Sequence, residues 1–516
     1  MRLTDYTRYA DAQRHFSKPA LWALFDGDQG ALNIAHECVD RHAGQGIEGD
    51  VAIRVAHADG RDEVITFTEL SSLSGRVASF LVARGIAPGD RVAMMLEPSR
   101  AFYAALFGAM KVGAVAVPLF TLFGPEGLRL RMTDCNPALL LLAPEKRELA
   151  AAAGTAVVIA DDDWLAEVVR LPVRVPIASS ADDMALYQYT SGTTRELPEA
   201  VKHRHRAIVT VAIAALYATG VRPGDRYMCP SSPAWGHGLW HGTLAPLALG
   251  VSIAAYAGKF DAERLLQAIA DYRITNLSAA ATHYRLMKNS GAAERHSYAI
   301  KKLTFTGEPI DSDTAVWAQR VFAAPVCSIY GTTEVGVILA NYPGADDLAV
   351  KPGSLGKPVP GVEVAILDRD RQPCPPGVTG EIMLRRGEAW FPTKDLGHRD
   401  EDGYFYHKGR ADDVIISAGW TMSAVEIEDT LLKHPDVAEC AAIGVPDPIR
   451  GQVVKAYVVS PRAPSEAFVT EIQQWAQQHL SRHEYPRQVE FVVELPKTPA
   501  GKVNRGVLRA RLQTSS

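Results

Sequence analysis

The chain has 516 residues, of which 47% are hydrophobic and 22% charged, and a formal net charge of −5. This length exceeds what one compact core accommodates and predicts about two to four domains. The apolar content excludes a largely disordered chain, and the slight acidic excess argues against a nucleic-acid-binding protein.

Short apolar runs alternate with helical periodicity along most of the chain. Apolar segments of strand length occur at 91–96, 114–120, 138–143, 156–160, 274–280, 303–306 and 326–330. A helical stretch occupies 99–112, between two of these segments. Buried apolar strands between helices are typical of parallel sheets covered by helices. We therefore predict a layered α/β architecture for most of the first 410 residues.

The pattern changes after Gly409-Arg410. Ser423 and Glu426 form a capping-box pattern that predicts the start of a helix. A turn between two strands at 401–404 precedes this change, and after it the sequence predicts strands at 414–417, 438–445 and 453–460 and a helix at 471–480. These elements are typical of a small α+β domain. We place the boundary between Ala411 and Asp412, which gives domains of residues 1–411 and 412–516.

The cysteines and the apolar stretches bear on the cellular compartment. The six cysteines form no CxxC motif and are too sparse for a disulfide scaffold, so we expect reduced thiols in a cytoplasmic protein. The first residues contain no apolar segment typical of a signal peptide. The longest apolar stretches, 101–120 and 207–221, are interrupted or short, so we expect no membrane span.

Residues 189–206 combine a hydroxyl-rich turn with a basic run. The turn at 190–194 reads Thr-Ser-Gly-Thr-Thr and offers N–H and O–H donors that can wrap phosphate oxygens. The basic run Lys-His-Arg-His-Arg follows at 202–206. The alternative interpretation is a polar loop before a helix with a solvated basic face. A Walker loop is excluded because GxxxxGK[ST] is absent.

Three later segments add candidate binding groups. Tyr330 precedes Gly-Thr-Thr-Glu, where an aromatic ring can cover a flat base and Glu334 offers hard oxygens to Mg²⁺. Asp395 is the residue type that accepts two hydrogen bonds from a ribose diol. Lys502 lies on a glycine-containing loop near the C-terminus. Taken singly, each has an ordinary alternative: a solvated glutamate, a capping aspartate and a surface lysine.

Six segments in this order resemble the adenylate-forming superfamily of acyl-CoA synthetases, peptide-synthetase adenylation domains and firefly luciferase, over nearly the whole chain. They are Thr-Ser-Gly-Thr-Thr (190–194), Gly-Glu-Pro (307–309), Tyr-Gly-Thr-Thr-Glu (330–334), Asp-Leu-Gly (395–397), Gly-Arg-Ala-Asp-Asp (409–413) and Pro-Lys-Thr-x-x-Gly-Lys (496–502). Within the superfamily the chain is most similar to acetyl- and medium-chain acyl-CoA synthetases. The resemblance implies a large multi-layer α/β domain that binds ATP/AMP and the acid, followed by a small mobile α+β domain.

The resemblance also implies a two-step reaction that uses ATP, Mg²⁺ and CoA. A small or medium carboxylic acid forms an acyl-adenylate and releases pyrophosphate, and CoA then takes the acyl group and releases AMP. By motif match, the catalytic residues are Lys502, Glu334 and Thr333, with Glu334 as the Mg²⁺ ligand and Asp412 as the hinge. The cofactor-binding residues implied are Thr190, Ser191, Gly192, Thr193, Thr194, Arg195, Gly307, Glu308, Pro309, Tyr330, Gly331, Thr332, Asp395, Arg410 and Gly419.

The acid pocket and three departures from the superfamily pattern complete the prediction. By position, the pocket includes Trp235, Gly236, His237, Val335 and Gly336, although a purely structural role for His237 is an equal alternative. In the phosphate loop, Arg195 stands in place of glycine and Glu199 in place of the usual lysine. Lys394 occupies a position where the superfamily usually has glycine. The segment between Leu384 and Trp390 is much shorter than usual.

The function predicted from the sequence is an ATP-dependent acyl-CoA ligase, with two alternatives. One is an enzyme that adenylates an acid and delivers it to a carrier protein or an amine. The other is a catalytically impaired nucleotide-binding protein, which the presence of Glu199 keeps open. The acid itself, whether aliphatic, branched, alicyclic or aromatic, and the oligomeric state are not specified by these motifs.

Overall fold

A computed structural model describes residues 1–44, 51–189, 199–307, 309–332, 335–410, 415–417, 420–422, 424–447, 451–480, 485–498 and 503–514. The strands in this part of the chain are β1 (Val51–His57), β2 (Asp62–Thr66), β3 (Arg91–Met95), β4 (Val115–Pro118), β5 (Leu139–Leu142), β6 (Ala156–Ile159), β7 (Met184–Tyr189), β8 (Ala200–Arg204), β9 (Arg226–Met228), β10 (Ser252–Ala257), β11 (Asn276–Ala280), β12 (Lys302–Thr306), β13 (Val326–Thr332), β14 (Gly336–Ala340), β15 (Ser354–Pro358), β16 (Val364–Leu367), β17 (Gly380–Arg386), β18 (Ala389–Arg399), β19 (Phe405–Arg410), β20 (Ile415–Ser417), β21 (Trp420–Met422), β22 (Glu439–Asp447), β23 (Gly451–Val459) and β24 (Gln488–Phe491).

The α-helices are α1 (Tyr9–His15), α2 (Lys18–Trp22), α3 (Ile34–Cys38), α4 (Phe67–Ala83), α5 (Arg100–Lys111), α6 (Pro125–Cys135), α7 (Asp162–Val169), α8 (Ala207–Ile213), α9 (Ala245–Ala248), α10 (Ala262–Asp271), α11 (Ala281–Ser290), α12 (Ser312–Phe322), α13 (Ala424–Leu431), α14 (Glu466–His479) and α15 (Arg505–Thr514). Short 3₁₀ helices occupy Leu3–Asp5, Asp40–His42, Pro144–Ala152 and Ala293–Arg295. Two π-helical segments occupy Ala214–Ala218 and His237–Leu244.

Two large sheets organise the first 410 residues. A 6-stranded sheet has the order β6-β5-β3-β4-β7-β8, in which only the β7–β8 pair is antiparallel. A 13-stranded sheet has the order β16-β17-β18-β19-β15-β14-β13-β12-β11-β9-β10-β1-β2. Its strands from β13 to β1 pair in parallel, and the strands from β14 to β19 add an antiparallel half.

Several of the helices that cover these sheets begin at a capping side chain, as at Ser99, Asp161, Asp261 and Asp311. Ser99 caps α5 by accepting a hydrogen bond from the Phe102 N–H at 3.2 Å. All of the α5 side chains from Ala101 to Lys111 are buried, so this helix lies in the interior between layers. The predicted α/β architecture is confirmed, and each predicted strand of the first 410 residues is present with ends shifted by up to two residues.

The C-terminal part contains the predicted α+β elements. A 3-stranded sheet, β22-β23-β24, packs against α13 and α14 around an apolar cluster that includes Ile427, Phe468 and Ile472. Helix α14 begins at Glu466, earlier than predicted, because the Ser465 side chain accepts a hydrogen bond from the Phe468 N–H. The boundary between Ala411 and Asp412 stays a prediction, since both residues lie outside the described ranges.

The described helices include none that combines the length and the apolar character needed to cross a membrane.

Candidate active site

The carboxyl ends of β12 and β13 bring several predicted site residues to one edge of the large sheet. Strand β12 ends at Thr306, and the following Gly307 adopts a φ of +97°, a conformation that favours glycine. The Thr306 hydroxyl donates to the Ile329 carbonyl at 3.1 Å, which joins the two strand ends. Tyr330, Gly331 and Thr332 are the last residues of β13. This part of the predicted nucleotide site is therefore contiguous.

Tyr330 and Asp395 meet although they lie 65 residues apart in sequence. The Tyr330 hydroxyl donates to Asp395 Oδ2 at 2.6 Å and approaches the Thr393 hydroxyl at 3.3 Å. Asp395 is only 6% exposed, and its Oδ1 lies 3.8 Å from His407 Nε2. The short, buried contact fixes the tyrosine ring beside the carboxylate. Two side chains that the motifs assign to base and ribose are thus brought together.

The antiparallel pair β18–β19 positions Asp395 on this edge. Asp395 is the register partner of Arg410, the last residue of β19, so the two residues assigned to the ribose hydroxyls are cross-strand neighbours. Thr393 supports the aspartate from the same strand, because its hydroxyl donates to the Ile382 carbonyl at 2.7 Å and accepts from the Asp395 N–H at 3.2 Å. Thr393 and His407 were not predicted from the sequence, since neither belongs to a recognisable motif.

Two glycines, one on β13 and one on β14, come into close contact. A Cβ atom added to Gly331 would stand 2.0 Å from the Gly336 carbonyl oxygen, which no side chain can tolerate. Gly336 itself has a φ of +70°. The register shifts between Tyr330 and Gly331, so the strand bulges where the aromatic ring projects. Both glycines are required by backbone geometry, independently of any bound ligand.

The segment predicted to line the acid pocket lies after β9. His237 is 4% exposed, with its Nε2 2.8 Å from the Ser278 hydroxyl and its Nδ1 3.1 Å from the Ser231 hydroxyl. Both ring nitrogens are thus engaged within the protein. The Trp235 ring packs edge-on against the His237 ring at 5.4 Å between centroids. The geometry accounts for His237 structurally, and its contact with an acid stays a prediction.

Gly336 is the first residue of β14, and Val335 directly precedes it. Val335 packs against the apolar cluster that contains Tyr330 and Ile338. Trp235 packs instead against the cluster of the smaller sheet, which contains Tyr189 and Ala234. The two proposed walls therefore belong to different apolar clusters. A shared pocket between them stays a prediction.

Gln188, which lies two residues before the hydroxyl-rich turn, was not predicted from the sequence. It is 3% exposed, and its Oε1 accepts a hydrogen bond from Trp240 Nε1 at 3.2 Å. The signal that could have identified it is a single amide within the otherwise apolar and aromatic strand β7. A buried amide in such a strand requires a partner.

The remaining predicted site residues lie outside the described ranges. They are Thr190, Ser191, Gly192, Thr193, Thr194, Arg195, Glu308, Thr333, Glu334, Asp412, Gly419 and Lys502. Of the Gly-Glu-Pro segment at 307–309, Gly307 and Pro309 are described. No group of three or more His, Cys, Asp and Glu side chains in the described part of the chain has the geometry of a metal site. The proposed Mg²⁺ ligand, Glu334, lies outside the described residues.

Comparison with known families places this site in context. The sequence profile described as "AMP-binding enzyme" matches residues 41–391, and the profile described as "AMP-binding enzyme C-terminal domain" matches residues 426–502. The first match alone spans more than half of the chain. The chain therefore belongs to the AMP-binding enzyme family, as the motif resemblance predicted.

Individual relatives and solved structures extend over nearly the full length. An acetyl-coenzyme A synthetase of Bacillus subtilis is 31% identical, with 97% of this chain and 94% of the relative covered. The crystal structure of a Brucella canis acyl-CoA synthetase is 30% identical with a TM-score of 0.75, covering 99% of this chain and 100% of its own. The crystal structure of an anthranilate CoA ligase in complex with anthranoyl-AMP is 25% identical with a TM-score of 0.83. The match covers 95% of this chain and 99% of that chain.

These similarities confirm the predicted class of enzyme. Family membership and full-length similarity to acyl-CoA synthetases support ATP-dependent ligation of an acid to CoA through an adenylate, which is the chemistry of an acid–thiol ligase. The large first domain and smaller C-terminal domain predicted for the fold match these solved structures.

Proposed function

We propose that this chain activates a small or medium carboxylic acid with ATP and transfers the acyl group to CoA, using the residues described above. The observation that carries the residue assignment is the buried contact of 2.6 Å between the Tyr330 hydroxyl and Asp395 Oδ2 at the end of β13. An aromatic ring and a carboxylate held side by side suit an adenine base and its ribose.

The first step joins the acid to AMP. An oxygen of the acid forms a bond to the α-phosphorus of ATP, and the bond from that phosphorus to the bridging oxygen of pyrophosphate breaks. Both reactants are anionic, so their approach is repulsive, and positive charge and positioning lower the barrier. We assign this neutralisation to Lys502. Glu334 would hold a Mg²⁺ ion that would supply further positive charge, and Thr333 would contact the α-phosphate.

The second step forms the thioester. The sulfur of CoA forms a bond to the acyl carbon, the bond from that carbon to the AMP oxygen breaks, and the thiol proton leaves. A lysine needed only for the first step must withdraw, which favours a hinged domain. We assign the hinge to Asp412 and the passage for the CoA thiol to Gly419, where a side chain would obstruct it.

Asp395 is suited to the ribose because a carboxylate offers about four acceptor positions. The Tyr330 hydroxyl uses one of them. In the phosphate loop, we assign the positive charge that the usual lysine would provide to Arg195 or to Lys202. A cytoplasmic location is also our proposal, and it rests on the sparse cysteines of the sequence.

The decisive experiment is ATP–pyrophosphate exchange with a panel of aliphatic, branched, alicyclic and aromatic acids. We expect acid-dependent exchange with some members of the panel and thioester formation when CoA is added. Exchange without thioester, but with product from amine or carrier-protein acceptors, would favour the alternative enzyme. Absence of exchange with every acid, while ATP binding persists, would identify an impaired nucleotide-binding protein and overturn the proposal.

A further inference from the structure

Gln188 is a buried amide whose hydrogen-bonding groups are only partly used. It lies on β7 and is 3% exposed, surrounded by residues that form the interior of the smaller sheet. A buried N–H that lacks a partner costs about 1–3 kcal/mol. The position of each Gln188 atom therefore requires an explanation.

The Trp240 indole fixes which way the amide faces. Its Nε1–H donates to Gln188 Oε1 at 3.2 Å, and an indole nitrogen can only donate. The oxygen of the amide must therefore face Trp240, which settles the usual ambiguity between oxygen and nitrogen. The nitrogen, Nε2, carries two N–H donors and is buried without a hydrogen-bond partner among the described residues.

The amide faces the segment predicted to line the acid pocket. A Cβ atom on Gly236 would stand 3.5 Å from Gln188 Oε1 and 3.7 Å from Nε2, so the amide is the nearest group to that point among the described residues. Because Gly236 has no side chain, the Gln188 amide lies close to the backbone of this segment. The donor pair thus borders the Trp235–His237 segment and lies two residues from the hydroxyl-rich turn.

A second unpartnered polar atom lies on the same side of the hairpin. His203 of β8 is the register partner of Leu186, and Gln188 follows Leu186 by two residues, so both side chains project from one face. The His203 ring lies 4.9 Å from the Trp240 ring, and its Nε2 is buried without a partner in the described part of the chain. Trp240 is therefore flanked by two side chains that each have one nitrogen without a partner among the described residues.

The Gln188 amide and the His203 imidazole are polar but carry no charge near neutral pH. Burial lowers the pKa of His203 to about 4, and it does the same for the pKa of His241, whose Nδ1 is also buried and unpartnered among the described atoms. A neutral imidazole both donates and accepts. Such surroundings suit a hydroxyl or carbonyl oxygen and disfavour a second carboxylate, which would be buried without a countercharge.

We propose that Gln188 is a specificity-determining residue that donates an N–H to a neutral oxygen on the acyl chain or ring of the substrate. The preferred substrate class is then hydroxy- or oxo-carboxylic acids, in preference to their unsubstituted counterparts. This inference rests on the proposed function, since it assumes that an acid occupies the space beside Gly236. A site built to hydrogen-bond a substrate group discriminates against the analogue that lacks it.

The test compares acids that differ by one oxygen. We would measure kcat/KM for AMP formation with CoA, using the pairs butanoate and 4-hydroxybutanoate, and benzoate and 3-hydroxybenzoate. For at least one pair we expect the hydroxylated acid to be preferred by about tenfold or more, as for one satisfied buried hydrogen bond. Gln188→Met keeps the length and removes the amide, so the preference should disappear.

Two further variants control this experiment. Trp240→Phe removes the donor that orients the amide, and it should reduce the preference while leaving Gln188 in place. Gln473→Met makes the same substitution in α14, where Gln473 donates to the Arg487 carbonyl, and it should leave the preference unchanged. If Gln188→Met does not fold, Trp240→Phe and Gln188→Asn supply the same comparison.

An unchanged preference in Gln188→Met, or a wild-type preference for the unsubstituted acid in both pairs, would overturn the inference. In either case acid-dependent exchange would persist and the proposed function would stand. Absence of exchange with every acid would instead overturn the proposed function and this inference together.

Discussion

Lys394 holds a backbone conformation that side chains other than glycine rarely adopt. Its φ is +64°, in the left-handed region, and it directly precedes Asp395. The motif comparison expects glycine at this position, and the structure gives the physical reason, since glycine reaches that region without strain. The lysine is accommodated where β18 bulges away from β17, with its N–H donating to Glu381 Oε1 at 3.2 Å.

We predict that Lys394→Gly will match or exceed the wild type in stability, whereas Lys394→Val will be less stable. Glycine removes about 1 kcal/mol of strain from the folded state. It also gives the unfolded chain more conformational entropy, which lowers the unfolding free energy by about 0.5–1 kcal/mol. A β-branched residue at positive φ adds strain of about 1–3 kcal/mol. Melting temperatures from thermal unfolding rank the stabilities of the wild type and the two variants. As a control, Lys357→Gly on β15 should destabilise, and equal melting temperatures for the glycine and valine variants of Lys394 would contradict the strain argument.

The Tyr330–Asp395 pair makes a second prediction at the residue scale. Asp395→Asn should raise the KM for ATP by about 10–100-fold, because hydrogen bonds to a charged acceptor contribute about 1.5–3 kcal/mol. Tyr330→Phe keeps the ring and loses only the hydroxyl, so its effect should be smaller. Steady-state kinetics with ATP and acid varied in turn provide the measurement. A rise in the KM for the acid that equals the rise for ATP would argue against a nucleotide site here.

At the scale of elements, the β7–β8 hairpin is tied to the N-terminal helix α3 through His205. This residue follows β8, is 0% exposed, and its Nδ1 accepts a hydrogen bond from the Ile34 N–H at 3.0 Å. Its Nε2 has no partner in the described structure. Because Nδ1 accepts, the ring is neutral, and burial lowers its pKa to about 4.

This geometry predicts an acid-sensitive contribution to stability. The folded-state pKa of His205 lies below the unfolded value of about 6.5, so the unfolded chain binds the proton more readily. The unfolding free energy should fall as the pH drops from about 6.5 to 4, by up to about 3 kcal/mol from this residue. His205→Asn retains an acceptor near Nδ1 but cannot titrate. Denaturant unfolding at pH 7 and pH 5 should therefore show a smaller difference for the variant, and an equal difference would contradict this assignment.

The same elements show what the sequence could and could not predict. The parallel strands β3, β4 and β5 are continuous apolar runs, so their positions follow directly from composition. The position of the π-helix at His237–Leu244 does not follow from composition. It involves contacts that composition does not reveal, with Gly242 packed against Cys229 and the Thr243 hydroxyl donating to the Gly238 carbonyl. The Tyr330–Asp395 contact likewise required the pairing of distant strands, although each residue was identified by its motif.

At the scale of the whole molecule, the two matched family regions, 41–391 and 426–502, frame the proposed hinge. Lys502 and Gly419 both follow that hinge in sequence, yet they are assigned to different steps. Lys502 must neutralise phosphate, whereas Gly419 must admit the CoA thiol. A single rigid arrangement could hardly place both at one reacting centre, so we expect the C-terminal domain to alternate between two positions.

The half-reactions test this alternation. Lys502→Ala should abolish acyl-adenylate formation and leave thioester formation from supplied acyl-AMP largely intact. Gly419→Leu should do the reverse, with pyrophosphate exchange persisting while transfer to CoA fails. Asp412→Pro fixes φ at the hinge and should spare one half-reaction more than the other. Equal damage to both half-reactions by Lys502→Ala and by Gly419→Leu would rule out alternating positions.

The short connection between β17 and β18 also shows where this enzyme tolerates a change of length. Arg386 and Ala389 are register partners, so the hairpin closes through Gly387 and Glu388 alone, with Gly387 at a φ of +59°. In the superfamily, the longer segment usual at this place would extend from the end of this hairpin. Because lengthening a surface loop costs only about 0.6 kcal/mol for each doubling, a peptide tag or a grafted loop could be inserted between Gly387 and Glu388 without disturbing the strand register that holds Asp395.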